Sequence, residues 1–287
     1  MNYSRIIAGT MTWGVWGKKF SKKEMNDLIH FCLDQGITTF DHADIYGGYT
    51  TEADFGNAFS ESKIPRETIQ LISKCGIQYT CENRNNKIKH YNYNKDYIIW
   101  SAETSLKNLK TEYLDLLLLH RPSPLMHPDE ISEAIVQLKK QGKIKNFGVS
   151  NFTPSQVEMI SKAQEVSVNQ IEFSLTHLEP MYDGSLDQMI TKNITPMAWS
   201  PMGSIYKENN EQIQRIKVQL KELAETYNAT PDQLLLAWIL KHPSKIHPVI
   251  GTTTKERIKD ANKSVEIDLD LEDWFIILGA SQGHKVP

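Results

Sequence analysis

The chain has 287 residues, 40% of them hydrophobic, which suffices for the core of one large domain or two small ones. A formal net charge of −3, with only short lysine tracts such as "KKFSKK" and "KKQGKIK", argues against a nucleic-acid partner. No stretch is apolar for long enough to span a membrane.

A first strand is expected at "RIIAGTM" (5–11). Ser21 then opens a helix, with Glu24 as capping-box partner and Met25, Leu28, Ile29, Cys32 and Leu33 along one face. Gly36 ends it, and a second strand runs into "TTFDHADIYG" (38–47). "IQLIS" (69–73) supplies the third strand, and the Asn/Lys/Tyr-rich stretch 83–97 reads as a long loop. "LDLLLLH" (114–120) is the fourth. The helix "PDEISEAIVQLKKQG" places Ile131, Ala134, Ile135 and Leu138 on one side and stops at Gly142. "IKNFGVS" (144–150), "SVNQIEF" (167–173), "ITPMAWS" (194–200) and "HPVIG" (247–251) complete the strands. Between them, "TPSQVEMI" and "TPDQLLLAWIL" each begin with a Thr cap, a Pro and a Gln three residues after the cap. Ile213, Ile216, Leu220, Leu223 and Ala224 line another helix, and a last one runs from Asp270 to about Leu278.

Strands alternating with helices, eight in all, predict an α/β fold: a single (β/α)₈ TIM barrel over residues 1–287. The run Leu116 to Leu119 lacks polar alternation, as expected of a parallel strand buried on both faces. An open doubly wound sheet is the structural rival, but no G-x-G-x-x-G follows any strand. The start "MNYSRIIAGTMTWG" lacks the pattern of a secretory signal. Cys32, Cys75 and Cys81 show neither disulfide nor zinc spacing, so a cytoplasmic protein is expected.

In such a barrel the active site lies at the C-terminal ends of the strands. Those ends carry Asp41 and then Tyr46, Lys74, His120, Ser150 with Asn151, Gln170, Trp199 with Ser200, and Thr252. The second of them poses a question of its own. Asp41, His42, Asp44 and Tyr46 fall within six positions, which suits a metal site, a proton-transfer site or a polar strand end without chemistry. A metal set of Asp41, His42, Asp44 and His120 is weakened by strand alternation, which points Asp41 and His42 apart, and by Lys74 beside it. Asp41, Tyr46, Lys74 and His120 instead form a proton-transfer set. A nearby ammonium is expected to lower the pKa of the phenol, Asp41 to keep Lys74 charged, and His120 to hydrogen-bond a carbonyl oxygen. Trp13 and Trp16, after the first strand, are candidates for the wall of a substrate pocket.

These motifs together resemble the aldo-keto reductase family over essentially the whole chain. The resemblance rests on "DHADIYG", "SKCG", "DLLLLHRP", "GKIKNFGVSNF", "NQIEFS", "PMAWSPMG" and "GTTTKERI", each in family order. It implies NADPH-dependent reduction of a small-molecule carbonyl substrate, without a metal, by a monomer or weak homo-oligomer. Asp41, Tyr46, Lys74 and His120 would be its tetrad, with Tyr46 as general acid. Ser150, Asn151 and Gln170 would hold the nicotinamide carboxamide, Trp199 would stack on the ring, and Ser200 and Gly203 would follow the pyrophosphate. Thr252 and Arg257 would meet the adenosine end, where Gly251 stands at the usual lysine position and Ala261 at the usual asparagine. The resemblance also admits an NADP(H)-binding regulatory subunit with little turnover.

Overall fold

The computed structural model describes residues 3–285. Its elements are β1 (Ile7–Gly9), α1 (Lys22–Asp34), β2 (Thr39–Asp41), α2 (Thr51–Phe59), β3 (Gln70–Cys75), β4 (Ile77–Gln78), β5 (His90–Tyr91), α3 (Lys95–Leu109), β6 (Leu114–Leu119) and α4 (Pro128–Lys140). They continue with β7 (Ile144–Ser150), α5 (Pro154–Ser161), β8 (Val168–Glu172), α6 (Ser185–Lys192), β9 (Thr195–Trp199), α7 (Glu211–Thr226), α8 (Pro231–Leu240), β10 (His247–Ile250), α9 (Lys255–Lys263) and α10 (Leu271–Gln282). Eight parallel strands close a barrel in the order β1-β10-β9-β8-β7-β6-β3-β2, as the alternation predicts. Among the described residues no helix is long and apolar enough to cross a membrane.

Strand periodicity builds the barrel in two layers. Along β6, Leu116 and Leu118 join Ile7, Ile72, Val168, Met197 and Val249 in the interior. Leu117 and Leu119 belong instead to the shell between barrel and helices. Both sets are buried, which is why the sequence shows a continuous leucine run. The capping signals also hold. Ser21, Thr153 and Thr230 each accept a hydrogen bond from the third residue of their helix and complete a capping box.

Between β3 and α3 the structure departs from the expected loop over 83–97. A short antiparallel hairpin pairs β4 with β5, Ile77 opposite Tyr91, and α3 already begins at Lys95. Two-residue strands carry too little periodicity to be read from sequence. The hairpin excursion is fastened to the Tyr46 turn. Asn83 Nδ2 donates to the Gly48 carbonyl at 2.8 Å, and the Arg84 guanidinium lies over the rings of Tyr49 and Trp100.

The helices flanking that excursion meet at very short range. A Cβ on Gly56 of α2 would stand 2.0 Å from the Asn108 carbonyl oxygen of α3. Beside this contact lie two buried carboxyl groups. Glu52 accepts from Ser73 Oγ at 2.5 Å, and Asp44 Oδ2 accepts from Ser101 Oγ at 3.0 Å, while Asp44 Oδ1 is buried without a partner. Burial, then the charge of Glu52, push the Asp44 carboxyl from its ordinary 3.8 up to about 8.

Two outcomes follow from this packing. Gly56→Ala would normally gain helix propensity, but here the added methyl meets backbone that cannot turn aside, so a loss of about 1–3 kcal/mol is expected. Chemical denaturation giving a variant at least as stable as the parent would refute the close approach. Asp44 binds its proton more tightly when folded, so that stabilisation is complete below pH 3.8 and is lost as pH rises to about 8. Asp44→Asn removes the titration. Its stability relative to the parent should climb between pH 5 and pH 8, with a slope approaching about 1.4 kcal/mol per unit. Parallel stability curves for the two proteins would contradict a protonated Asp44.

Candidate active site

The segment after β2 is held against β3 by its own backbone. The amides of His42 and Asp44 donate to the carbonyls of Ile72 and Lys74 at 2.9 and 3.0 Å. The chain then doubles back through Gly47 and Gly48, both left-handed with φ of 62° and 63°. This turn returns Tyr46 over the barrel mouth. Alternation separates the neighbouring polar groups as expected. Asp41 faces Lys74 inside, while His42 faces outward, with Nδ1 2.9 Å from Thr10 Oγ1 and its ring 4.4 Å from that of Phe55.

Lys74 is the centre of the constellation and only 1% exposed. Its ammonium donates to Asp41 Oδ2 at 2.7 Å, to the His42 carbonyl at 2.8 Å and to Tyr46 Oη at 3.2 Å, using its three protons. Burial pulls the lysine down, but Asp41 and then Tyr46 outweigh it, and the net shift is upward. The amine therefore stays charged.

Tyr46 corrects one expectation. Burial is the largest influence on its phenol and pushes it up; Lys74 pulls the other way and only in part offsets this. The net direction is upward, so the phenol keeps its proton at neutral pH. The ammonium is placed to stabilise a phenolate at Tyr46 Oη. His120 lies with its ring centroid 6.1 Å from that of Tyr46, edge to face. Burial first, then Lys74 and Arg121, hold its imidazole well below the usual range, so it is neutral. Its Nδ1 is buried without a partner.

From Asp41 a chain of hydrogen bonds crosses the barrel mouth. Gln170 Nε2 on β8 donates to Asp41 Oδ1 at 3.1 Å, and Ser150 Oγ on β7 donates to the Gln170 carbonyl at 2.9 Å. Asn151 Nδ2 reaches Ser150 Oγ at 2.8 Å, and Trp199 Nε1 on β9 reaches Asn151 Oδ1 at 2.9 Å. Tyr46, Lys74, Asp41, Gln170, Ser150, Asn151 and Trp199 thus form one connected network. Register aligns the strand ends that carry it: Ser150 pairs with Gln170, and Glu172 with Trp199.

Ser200, Gly203, Thr252 and Arg257 gather elsewhere. They line a cavity of about 940 Å³ between the loops after β9 and β10. Asp41, Tyr46, Lys74 and His120 are not among its walls, but Ser200, which is, directly follows Trp199 of the network. The cavity also includes Thr12, Lys18, Tyr206 and Asp232, which sequence reasoning missed; of these only Thr12 directly follows a strand read from the sequence. The Tyr206 hydroxyl donates to Asp232.

Of the two tryptophans expected at the substrate pocket, one is displaced. Trp13 is 1% exposed and packs against Phe20, Phe40 and Phe55 with centroids 6.1 to 6.4 Å away. It belongs to the aromatic shell outside β2, not to a pocket wall. Trp16, 39% exposed, lies 6.3 Å from the Tyr46 ring and 5.4 Å from that of Tyr79, at the mouth. Arg121 was also missed. It follows His120 directly, and its guanidinium lies 5.2 Å over the Trp199 ring. The dipeptide "HR" at a strand end was the available signal. Among the described residues no group of three or more His, Cys, Asp or Glu side chains is placed to hold a metal.

Comparison with known proteins agrees with the barrel. The pattern of the Aldo/keto reductase family matches residues 5–281. An uncharacterized oxidoreductase, YcsN, of Bacillus subtilis is 43% identical, covering 100% of this chain and 97% of its own. A 6-dehydroglucose reductase of Agrobacterium fabrum is 37% identical over 100% of this chain and 97% of its own. The crystal structure of a thermostable aldo-keto reductase in complex with the inhibitor epalrestat superposes with a TM-score of 0.81 at 27% identity, covering 96% of this chain and 94% of that one. The protein is therefore an enzyme of the aldo/keto reductase family, whose members use nicotinamide cofactors.

Proposed function

We propose that the enzyme reduces an aldehyde or ketone to the alcohol with NADPH, and that Tyr46 delivers the proton. The observation that carries this reading is the ammonium of Lys74, shared between Asp41 at 2.7 Å and the Tyr46 hydroxyl at 3.2 Å. When bound, NADPH supplies a hydride to the carbonyl carbon.

The residues present suit that cofactor. Arg257 is exposed on the cavity with no carboxylate within ion-pair distance among the described residues, which suits a 2′-phosphate. Thr254, the residue before α9, makes no side-chain cap bond, so the first amides of that helix remain available to an anion. A Cβ on Gly251, where relatives often carry lysine, would meet nothing within 4 Å, so this wall is open. Ser200, Gly203 and Thr252 would follow the pyrophosphate and adenosine along the same cavity. Ser150, Asn151 and Gln170 would hold the nicotinamide carboxamide beside Trp199.

The chain's own part in the reaction is control of one proton. Tyr46 holds it at Oη because burial raises the phenol. As negative charge builds on the substrate oxygen, Tyr46 donates, and the Lys74 ammonium stabilises the phenolate that remains. Asp41 keeps Lys74 charged, and Gln170 fixes the other Asp41 oxygen. Neutral His120 offers a hydrogen bond to the same substrate oxygen without adding charge. The three free cysteines suit a cytoplasmic setting.

Tyr46→Phe should bind NADPH nearly as well as the parent yet slow single-turnover hydride transfer to 4-nitrobenzaldehyde by roughly 10²–10⁴-fold. Transfer at near the parental rate would refute Tyr46 as donor. Because the phenol is shifted upward, reduction should stay level through neutral pH and fall only on the alkaline side, above the ordinary tyrosine value of 10.0. Arg257→Ala should weaken NADPH binding about 10- to 150-fold and change NADH binding little. Equal weakening of both cofactors, measured by tryptophan quenching, would remove the 2′-phosphate contact.

A further inference from the structure

Arg121 is a cation at the barrel mouth that the proposed proton-transfer set does not use. It is partly buried, and among the described residues no carboxylate lies within ion-pair distance of its guanidinium. A guanidinium with no protein carboxylate beside it is free to pair with an anion from outside the chain. Its backbone is fixed. The Tyr93 hydroxyl donates to the Arg121 carbonyl and accepts from the Arg121 amide at 3.1 Å.

Its field falls on the reacting groups. Arg121 acts on both Tyr46 and His120, lowering each. Lys89 adds a further positive contribution at His120. Against these, Asp41 is the anion nearest the site, and both of its oxygens are engaged, Oδ2 by Lys74 and Oδ1 by Gln170. The mouth is thus positive with no free anion of its own. Around it stand aromatic faces: Trp16 and Tyr79 on one side, Trp199 beneath the guanidinium.

We infer that Arg121 is a specificity-determining residue that pairs with a carboxylate on the substrate, so that the enzyme favours carbonyl compounds bearing a carboxylate over neutral ones. This rests on the proposed reductase reading and names the substrate class for it. The guanidinium presents two parallel N–H groups, the fork that matches a carboxylate. Its position over Trp199 sets the bound carboxylate beside the aromatic floor of the mouth, and Tyr46 and His120 remain for the carbonyl oxygen. Hydroxyl groups of a neutral sugar aldehyde would also accept from Arg121, but they would leave its charge unneutralised.

The test compares 4-carboxybenzaldehyde with methyl 4-formylbenzoate, which share a ring and an aldehyde and differ in charge. The parent should prefer the carboxylate in kcat/KM by about 10- to 100-fold, with the difference carried mostly by KM. Arg121→Gln should bring the ratio close to one, and Arg121→Lys, which keeps charge but loses the fork, should retain part of it. The ratio is the useful readout because any influence of Arg121 on Tyr46 acdity cancels between the two aldehydes. A parental ratio near one, or a ratio that survives Arg121→Gln, overturns the inference. If neither aldehyde is reduced, the reductase reading fails separately. Binding of 4-(hydroxymethyl)benzoate and its methyl ester, followed by tryptophan quenching, then decides. A preference for the acid that Arg121→Gln abolishes supports the carboxylate site, and equal binding rejects it.

Discussion

The buried ion pair of Lys74 and Asp41 is the constraint around which the mouth of this barrel is organised. A lysine 1% exposed survives as an ammonium only if its charge is met, and Asp41 meets it at 2.7 Å. Removing a single partner from such a pair leaves an uncompensated buried charge, whose cost is about 3–5 kcal/mol. The pairing of β2 with β3, with Asp41 beside Ile72, sets the two side chains within reach. Barrel closure supplies the rest, because it brings Gln170 from β8 to the other oxygen of Asp41. Fold and site share one set of contacts here.

That pair also fixes what Tyr46 can do. A phenol in a dry setting is a poor acid, and burial alone would make it poorer still. The ammonium does not reverse this, since the net shift remains upward. What it changes is the stability of the product of proton transfer. A phenolate beside a paired ammonium costs much less than one facing apolar walls, so the benefit is felt as the transition state is approached, not in the resting enzyme.

Much of this was legible in the sequence because strands in a parallel barrel end where apolar packing ceases. The polar residue at each end stands out, and seven such motifs in order carried the family resemblance. The Ser/Thr-initiated helices were equally legible, as Ser21, Thr153 and Thr230 show. What escaped had no local signature. The α2 helix begins at Thr51, after a Thr50 that makes no side-chain cap bond, and its packing depends on Gly56 lying against α3, a contact set by tertiary structure. Trp13 looked available for a pocket because it follows the first strand. Its actual partners, Phe40 and Phe55, are distant in sequence. The sign of the Tyr46 shift was hidden for the same reason, since burial is not a property of six residues.

The crowding of ionisable groups between residues 41 and 46 finds its explanation in how burial sorts them. His42, faced outward among Thr10 and Phe55, is pushed down to about 3 by burial and by Lys74, so it is neutral. Asp44, raised to about 8, holds its proton at neutral pH. Tyr46 holds its own. Cys75 and Tyr93, packed nearby, are raised well above their ordinary values. Burial therefore removes charge from the groups that lack a counter-ion and spares the one pair that has it. The field at the mouth is left to the Lys74–Asp41 pair, to Arg121 and, at His120, to Lys89. Because the pair is nearly neutral as seen from a distance, in the proposed reaction the unpaired guanidinium sets the sign of what is drawn in, and the pair governs what happens to the proton once it arrives.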